Sequence, residues 1–372
     1  MHYLDYNATA PMRNGVIETM KSMGVEARNP MSLHYHGRKA RVNSDQAREK
    51  LRALLGFPKA EVVYTSGGTE ADNLAMLGFA RARREETGAN RVVLSPWEHP
   101  AITEPAARLH SEGFEVCQLP LTSEGALDLD RAPALLREDV AIASVMLAQN
   151  ETGLVFDVPA IAAMCHAAGI HLHCDAVQAA GKIPINAMAL GIDSLAISAH
   201  KFGGPRGVGA LLSMKGSRPP ALWGGGGQEE GTRSGTQPLP LIMGLARALE
   251  LASSDLGKYA ELRKKHDLFE ASLVDELRLS VIGAQLERLP NTTSVWVPTL
   301  SGRNWVSELS LRGFCVSAGA ACHADDEASS RIHGLTGQRD TKLEMLRVSS
   351  GLETDQDALD DLRMAIKEIL AN

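Results

Sequence analysis

Residues 194–215 read SLAISAHKFGGPRGVGALLSMK. SLAISAH and VGALLSM have the texture of strands buried on both faces, apolar or small throughout rather than alternating. Between them Lys201 places a primary amine at the end of the first strand, and Gly203, Gly204 and Gly207 follow it. A lysine there can simply carry its charge out to water. The glycines allow something else, a backbone that turns closely around the amine.

Outward from this pair, similar runs recur from about residue 60: EVVYTS (61–66), RVVLSP (91–96), FEVCQLP (114–120), DVAIASVML (139–147) and HLHCDA (171–176). Helical periodicity lies between most of them, as in EADNLAMLGFARARR (70–84) and PAIAAMCHAAG (159–169). The alternation predicts an α/β domain with a mainly parallel central sheet. Ligands of such sheets collect at the carboxyl ends of the strands, where Lys201 sits. After GGGGQEEGTRSGTQPL (224–239) the texture changes. One long helical stretch over 241–279, a strand at TTSVWV (292–297), a short helix near 304–312, a strand at LEMLRVSS (343–350) and a terminal helix over 355–370 predict a smaller α+β domain. The expected division is 13–250 for the large domain, with 1–12 and 251–372 forming the small one.

The bulk properties narrow the function classes. The chain has 372 residues, 44% of them hydrophobic and 22% charged, and a net charge of -7 without a long basic run. Nucleic acid is therefore not an expected partner. No apolar run approaches the ~20 residues of a membrane span, and MHYLDYNATAPM lacks a signal-peptide core, so a cytoplasmic protein is expected. The five cysteines, Cys117, Cys165, Cys174, Cys315 and Cys322, are odd in number and form no CxxC pair. That argues against a disulfide framework or a metal site, and for any cysteine chemistry being that of a single thiol. Cys117, Cys165 and Cys174 fall in strand or helix interiors and are expected in the core.

The strand ends carry the chemistry. YTSGGTEADN (64–73) reads as strand, glycine turn and helix start. The backbone N–H groups of Gly68 and Thr69, with the Thr69 hydroxyl, would form an anion pocket suited to phosphate, or else a tight turn with a capping threonine. His99 follows the next strand in PWEHPA, where a lone histidine is more often a cap or a satisfied core group. Asp175 ends HLHCDA with Gln178 close behind, and could be a helix cap. Ser198, His200 and Lys201 close the opening strand. Taken together, an amine, a strand-end carboxylate, an imidazole and a phosphate cup fit pyridoxal 5'-phosphate.

YLDYNATAP, TSGGTEADN, EHPA, NETG, DAVQAAGK, SAHKFGGPRGVGAL and RSGT, in that order, resemble the cysteine desulfurases of the fold-type I, class V aminotransferase-like pyridoxal-phosphate enzymes. The resemblance runs from residue 3 to about 351. It implies that Lys201 forms the Schiff base with the cofactor, that Asp175 partners the pyridine nitrogen and that His99 stacks on the ring and moves protons. It further implies that Asn150 and Gln178 contact the ring oxygen. Gly68, Thr69, Ser198 and His200 would hold the phosphate, with Thr236 of RSGT arriving from a second subunit, hence a homodimer with shared active sites. Arg347 of LRVSS would bind the carboxylate of L-cysteine; read alone it is a surface salt bridge. Cys322, in FCVSAGAACHADDEASS and 25 residues before that arginine, matches the nucleophile of the family's longer-loop type. The implied reaction converts L-cysteine to L-alanine with a persulfide on Cys322, whose sulfur passes to an iron–sulfur scaffold or another acceptor protein.

Departures accompany the match. SAGAAC stands where the family usually has SSGSAC, so Ala318 and Ala320 replace serines. His323 would lower the Cys322 pKa if protonated, whereas Asp325, Asp326 and Glu327 would raise it. Leu147 and Gln149 occupy positions where the family commonly has His and Asn. Three competing readings stand beside the desulfurase. A selenocysteine lyase or other C–S lyase would not use Cys322, an aminotransferase would leave that cysteine without a task, and a non-catalytic scaffold would have kept only the fold.

Overall fold

The computed structural model describes residues 1–24, 29–300, 304–318, 332, 334–338, 340 and 342–371. Its centre is a seven-stranded sheet of β2 (Glu61–Thr65), β3 (Arg91–Leu94), β4 (Glu115–Gln118), β5 (Val140–Ser144), β6 (His171–Asp175), β7 (Ser194–Ser198) and β8 (Gly209–Ser213). The strand order is β2-β8-β7-β6-β5-β3-β4. Pairing is parallel from β4 through β7, while β8 runs antiparallel to both β7 and β2. The mainly parallel sheet predicted from the apolar runs is therefore present, with one reversed strand.

Every residue of β5, β7 and β8 is buried, because helices cover both faces. α3 (Gly68–Thr87) and α4 (Pro100–Ser111) pack on one face, against Val63, Ile142, Ala196 and Leu211. α1 (Asn14–Gly24), α2 (Tyr35–Leu54), α5 (Val158–Ala167), the single turn α6 (Ala187–Leu190) and α7 (Leu239–Ser254) go with the other, whose core holds Val62, Leu172, Leu195, Ile197 and Leu212. The alternation within β6, β7 and β8 sends neighbouring residues to opposite cores.

The expected single helix over 241–279 is two helices. α7 ends at Ser254, a 3-10 turn spans Leu256–Lys258, and α8 runs Tyr259–Asp275. Asp255 at the break binds Arg13 at 2.5 Å and Lys258 at 2.7 Å, which draws the chain out of the helical path. A second sheet joins β9 (Ser280–Val281), β10 (Thr292–Pro298) and β12 (Leu343–Ser349), all antiparallel. It shares a core with α8, α9 (Trp305–Leu311) and the C-terminal helix Gln356–Ala371, through Phe269, Trp305, Leu346, Leu362 and Ile366. The chain start joins that core. β1 (His2–Tyr3) pairs in parallel with β11 (Phe314–Cys315), Leu4 is fully buried there, and Asp5 bridges Ser349.

Cys165 and Cys174 are buried as expected, but Cys117 is not. It lies on β4, the edge strand, half-buried and 3.3 Å from Glu115 Oε1, because strand order cannot be read from periodicity. No helix among the described residues is long and apolar enough to cross a membrane.

Candidate active site

β5, β6 and β7 end on one side of the sheet, and the residues that follow them meet there. Asp175 is the last residue of β6, and Lys201 closes a 3-10 turn, Ala199–Lys201, directly after β7. Gly203 holds that turn with φ +83, and a Cβ there would stand 2.7 Å from Arg13 Cγ. A Cβ on Gly204 would stand 2.9 Å from Ala199 O. The glycines after the lysine are thus required by close approach, as their sequence position predicted.

Asp175 is 4% exposed, and its Oδ1 accepts the Val177 N–H at 2.8 Å. Burial, and next the charge of Asp72, push its carboxyl up to about 8 against the pull of that N–H, His173 and Lys201. A buried acid this costly to ionise fits a cationic partner. The Lys201 amine donates to Asn7 O at 2.7 Å and Ala8 O at 3.0 Å.

Of the phosphate-cup candidates, Gly68 and Ser198 meet at the β2–α3 turn. A Cβ on Gly68 would stand 2.6 Å from Val177 Cγ2 and 3.5 Å from Ser198 Cβ, so this glycine lies close against the turn after β6 and the last residue of β7. Thr69 is exposed in the first turn of α3, where backbone N–H groups point out. His200 Nδ1 lies 3.2 Å from Thr9 Oγ1, and burial, then the Lys201 charge, bring it down to about 4. His99 is the N-cap of α4: its Nδ1 accepts the Ala101 N–H at 3.0 Å. That bond fixes the ring hydrogen on Nε2. Cap and working ring are compatible at this position.

Arg347 is not a surface residue. It is 2% exposed, pairs with Asp5 Oδ1 at 2.5 Å through Nη2 and donates from Nη1 to Asn150 O at 3.0 Å. Its buried Nε has no acceptor among the described residues. The amide of Gln178 is engaged at both ends, by Asn7 O at 2.9 Å and the Lys182 amine at 2.6 Å. Gln149 Oε1 accepts from Glu151 N, Thr152 N and Thr152 Oγ1, so this departure from the family pattern organises the NETG turn. Thr236 is exposed on the segment after Gly235, and Cys322 lies outside the described residues, as do Ala320, His323, Asp325, Asp326 and Glu327.

Two groups of buried polar residues at the candidate site escaped the reading of the sequence. Asn7, 1% exposed, ties the site together: besides the bonds above, its Oδ1 accepts from Lys182 and Asn291, and its Nδ2 donates to Asn150 O and Thr292 Oγ1. The motif YLDYNATAP held the signal, but no spacing rule links residue 7 to residues 182 and 291. Asp72 and His173, buried beside Asp175, are the second group.

The residues present fit pyridoxal phosphate on these observations: a buried, high-pKa carboxylate, an amine held by neutral carbonyls, and a glycine cradle that a Cβ would fill at a helix N-terminus. Comparisons with known proteins agree. Residues 2–362 match the family model described as aminotransferase class-V, a family that uses this cofactor. The cysteine desulfurase IscS of Dictyoglomus turgidum is 38% identical over 335 residues, 89% of this chain and 84% of that one. A solved NifS-like protein superimposes with a TM-score of 0.90 at 33% identity, covering 99% of each chain. Another, described as SspA in complex with cysteine, gives 0.79 at 30% identity over 94% of this chain and 98% of that one. Sequence match, fold and strand-end site converge, and the chain belongs to the aminotransferase class-V family, on its cysteine desulfurase branch.

Proposed function

We propose that this enzyme takes the sulfur of L-cysteine onto the thiol of Cys322 and releases L-alanine. The observation that carries the reading is the pairing of Asp175, a buried acid pushed up to about 8, with Lys201 at the ends of adjacent strands. A solved relative was captured with cysteine, which supports the substrate.

Bound pyridoxal phosphate supplies an aldehyde that links to amines and a protonated ring that draws electrons from the substrate α-carbon. Lys201 would hold that aldehyde until the substrate amine replaces it, and then take the α-proton on its freed amine. Asp175 would pair with the ring nitrogen and favour its protonated form. Gly68, Thr69, Ser198 and His200 would hold the phosphate, with Asn150 and Gln178 at the ring oxygen. Gln178 Nε2 gives one of its two hydrogens to Asn7 O and would bring the other to that contact. Arg347, steadied by Asp5, has an Nε–H to spare for the substrate carboxylate. His99, its Nδ1 occupied by the α4 cap, presents Nε2–H as the donor and acceptor of protons near the substrate sulfur.

The Cys322 thiolate then attacks that sulfur. An S–S bond forms, the C–S bond breaks, and the carbon fragment regains protons to leave as alanine, so cysteine plus thiol become alanine plus persulfide. Ser317, five residues before Cys322, exchanges both backbone hydrogen bonds with Arg347 at 3.1 and 2.7 Å. Five residues before Cys322, the chain therefore lies beside the strand that bears the substrate-binding arginine. Residues 13–250 bind the cofactor, and 1–12 with 251–372 carry Arg347 and Cys322. A homodimer brings Thr236 of each subunit to the other's cofactor phosphate, and an iron–sulfur scaffold or another thiol protein accepts the sulfur.

The test is alanine and sulfide release from L-cysteine with reductant, after visible absorbance has verified bound cofactor. Wild type should make both products one for one, and Cys322→Ala and Lys201→Ala neither. Wild-type rates in Cys322→Ala would overturn the persulfide step and favour a lyase that does not use this thiol.

A further inference from the structure

β6 carries a polar stripe where its neighbours are apolar. Leu172 and Cys174 turn to the core shared with α2, α5 and α7, and His171, His173 and Asp175 turn to the α3 side. His171 Nε2 lies 2.8 Å from Ser194 Oγ, which lies 2.9 Å from His173 Nδ1, and His173 Nε2 lies 3.1 Å from Asp72 Oδ1 on α3. Ser194, His173 and Asp72 are at most 1% exposed. One end of this chain opens on a groove lined by His166, His171 and Asp193, where Phe79 stacks on the His171 ring at 4.0 Å. The other end lies under Asp175, two residues beyond His173 on the same face of β6.

Counting hydrogens gives the chain a polarity. Ser194 has one hydroxyl hydrogen between two ring nitrogens, so it donates to one and accepts from the other. If it donates to His173 Nδ1, the hydrogen of that ring is on Nε2 and points at Asp72, which receives it as a carboxylate. If it donates to His171, the order reverses and Asp72 must carry a proton itself. Burial holds both histidines near 4, so each ring is neutral and has a single hydrogen to place. Burial also drives Asp72 well above the usual carboxylate range. An N–H delivered by His173 offsets that cost.

We propose that Asp72 and His173 are positioning residues that act through Asp175: the chain from Ser194 delivers an N–H to Asp72, keeps it a carboxylate, and so tightens the hold of Asp175 on the proton at the cofactor ring nitrogen. The inference rests on the pyridoxal-phosphate reading above. The charged and titratable groups facing Asp175 are Asp72 from α3, His173 from its own strand and Lys201 from the turn after β7. Glu98, from the β3–α4 turn, faces the neighbouring Cys174 instead. Among them Asp72 raises the proton affinity of Asp175, whereas His173 and Lys201 lower it. A nearby like charge makes a carboxylate harder to ionise, so removing it lowers the proton affinity of Asp175.

The experiment loads wild type, Asp72→Asn and Ser194→Ala with pyridoxal phosphate isotopically labelled at the ring nitrogen and follows that nitrogen by NMR as pH rises. Asparagine at position 72 keeps the shape and the acceptor for His173 while removing a buried charge, and Ser194→Ala removes a single oxygen. Ring deprotonation should move to lower pH by about one unit or more in Asp72→Asn. It should move the same way, by less, in Ser194→Ala, where His173 is released to turn its hydrogen away from Asp72. Titrations that coincide with wild type in both variants overturn the proposal. A shift in Asp72→Asn alone overturns the part given to Ser194 and His173. Wild type that takes up no labelled cofactor overturns the cofactor reading and this inference together.

Discussion

Replacing Lys182 with methionine removes a buried amine whose hydrogen-bond partners are neutral. Lys182 is 2% exposed, and its Nζ donates to Asn7 Oδ1 at 2.9 Å and Gln178 Oε1 at 2.6 Å. Two amide acceptors match the two hydrogens of an uncharged amine. Burial pushes its pKa well below the ordinary lysine value, and the Lys201 and Arg347 cations push it further down. In the unfolded chain the same amine titrates near ~10.4. Between the two values the unfolded chain binds one more proton than the folded one. Stability therefore rises with pH across that window, by about 1.4 kcal/mol per unit, and is lost at the same slope as pH falls toward the folded pKa. The variant lacks this slope. It also strips a donor from Gln178 Oε1 and from Asn7 Oδ1, which keeps Asn291 Nδ2 at 3.2 Å, for a cost of about 1–3 kcal/mol at any pH. Wild type should thus be the more stable protein at alkaline pH, with its advantage shrinking as the solution is brought to neutrality. Urea unfolding of both proteins over a pH series gives the difference directly. A difference that does not change with pH means that Lys182 is charged in the folded protein, and refutes the reasoning.

Glu270 predicts the opposite limb. Burial would raise it, but bonds to Arg288, the charges of Arg288 and Arg263 and the Thr293 hydroxyl bring it down to about 2. Its contribution is complete above the unfolded value of ~4.3 and disappears as pH falls from there to about 2, so Glu270→Gln should flatten acid unfolding by about 3 kcal/mol, read from the acid midpoint by circular dichroism. Gly68→Ala puts a Cβ 2.6 Å from Val177 Cγ2, two residues after Asp175. Overpacking of this kind costs about 1–3 kcal/mol, so cofactor retention in dialysis should fall by about tenfold or more while the far-ultraviolet spectrum stays unchanged.

Asp175, Lys201, Ser198 and Gly68 were legible because a parallel sheet separates its tasks: strand interiors are apolar throughout, so polar residues at their ends stand out. Their placement at the strand ends, or in the turns beside them, follows from short-range pattern alone. Asp72 and His173 have no such contrast. One reads as an ordinary acid in the first turns of a helix and the other as one of two histidines in a strand, and only the packing of α3 across β6 joins them, 101 residues apart. The helix break at Asp255 escaped for the same reason, since its partner Arg13 lies 242 residues away.

Arg347 shows what distance in sequence does to a chemical reading. Within LRVSS an arginine between apolar residues has an obvious solution, a charge at the surface. The structure buries it because Asp5, two residues after the end of β1 and 342 residues earlier in the chain, bridges to β12 and supplies a counter-charge there. Without that crossing, burial of the guanidinium would leave an uncompensated charge and cost several kcal/mol. With it, the arginine sits inside the protein with its Nε–H unpartnered among the described residues. The same crossing brings Asn7 between Lys182, Gln178 and Lys201. The first residues of the chain are therefore part of the architecture of the candidate site, holding in place groups that the strand ends alone would leave apart.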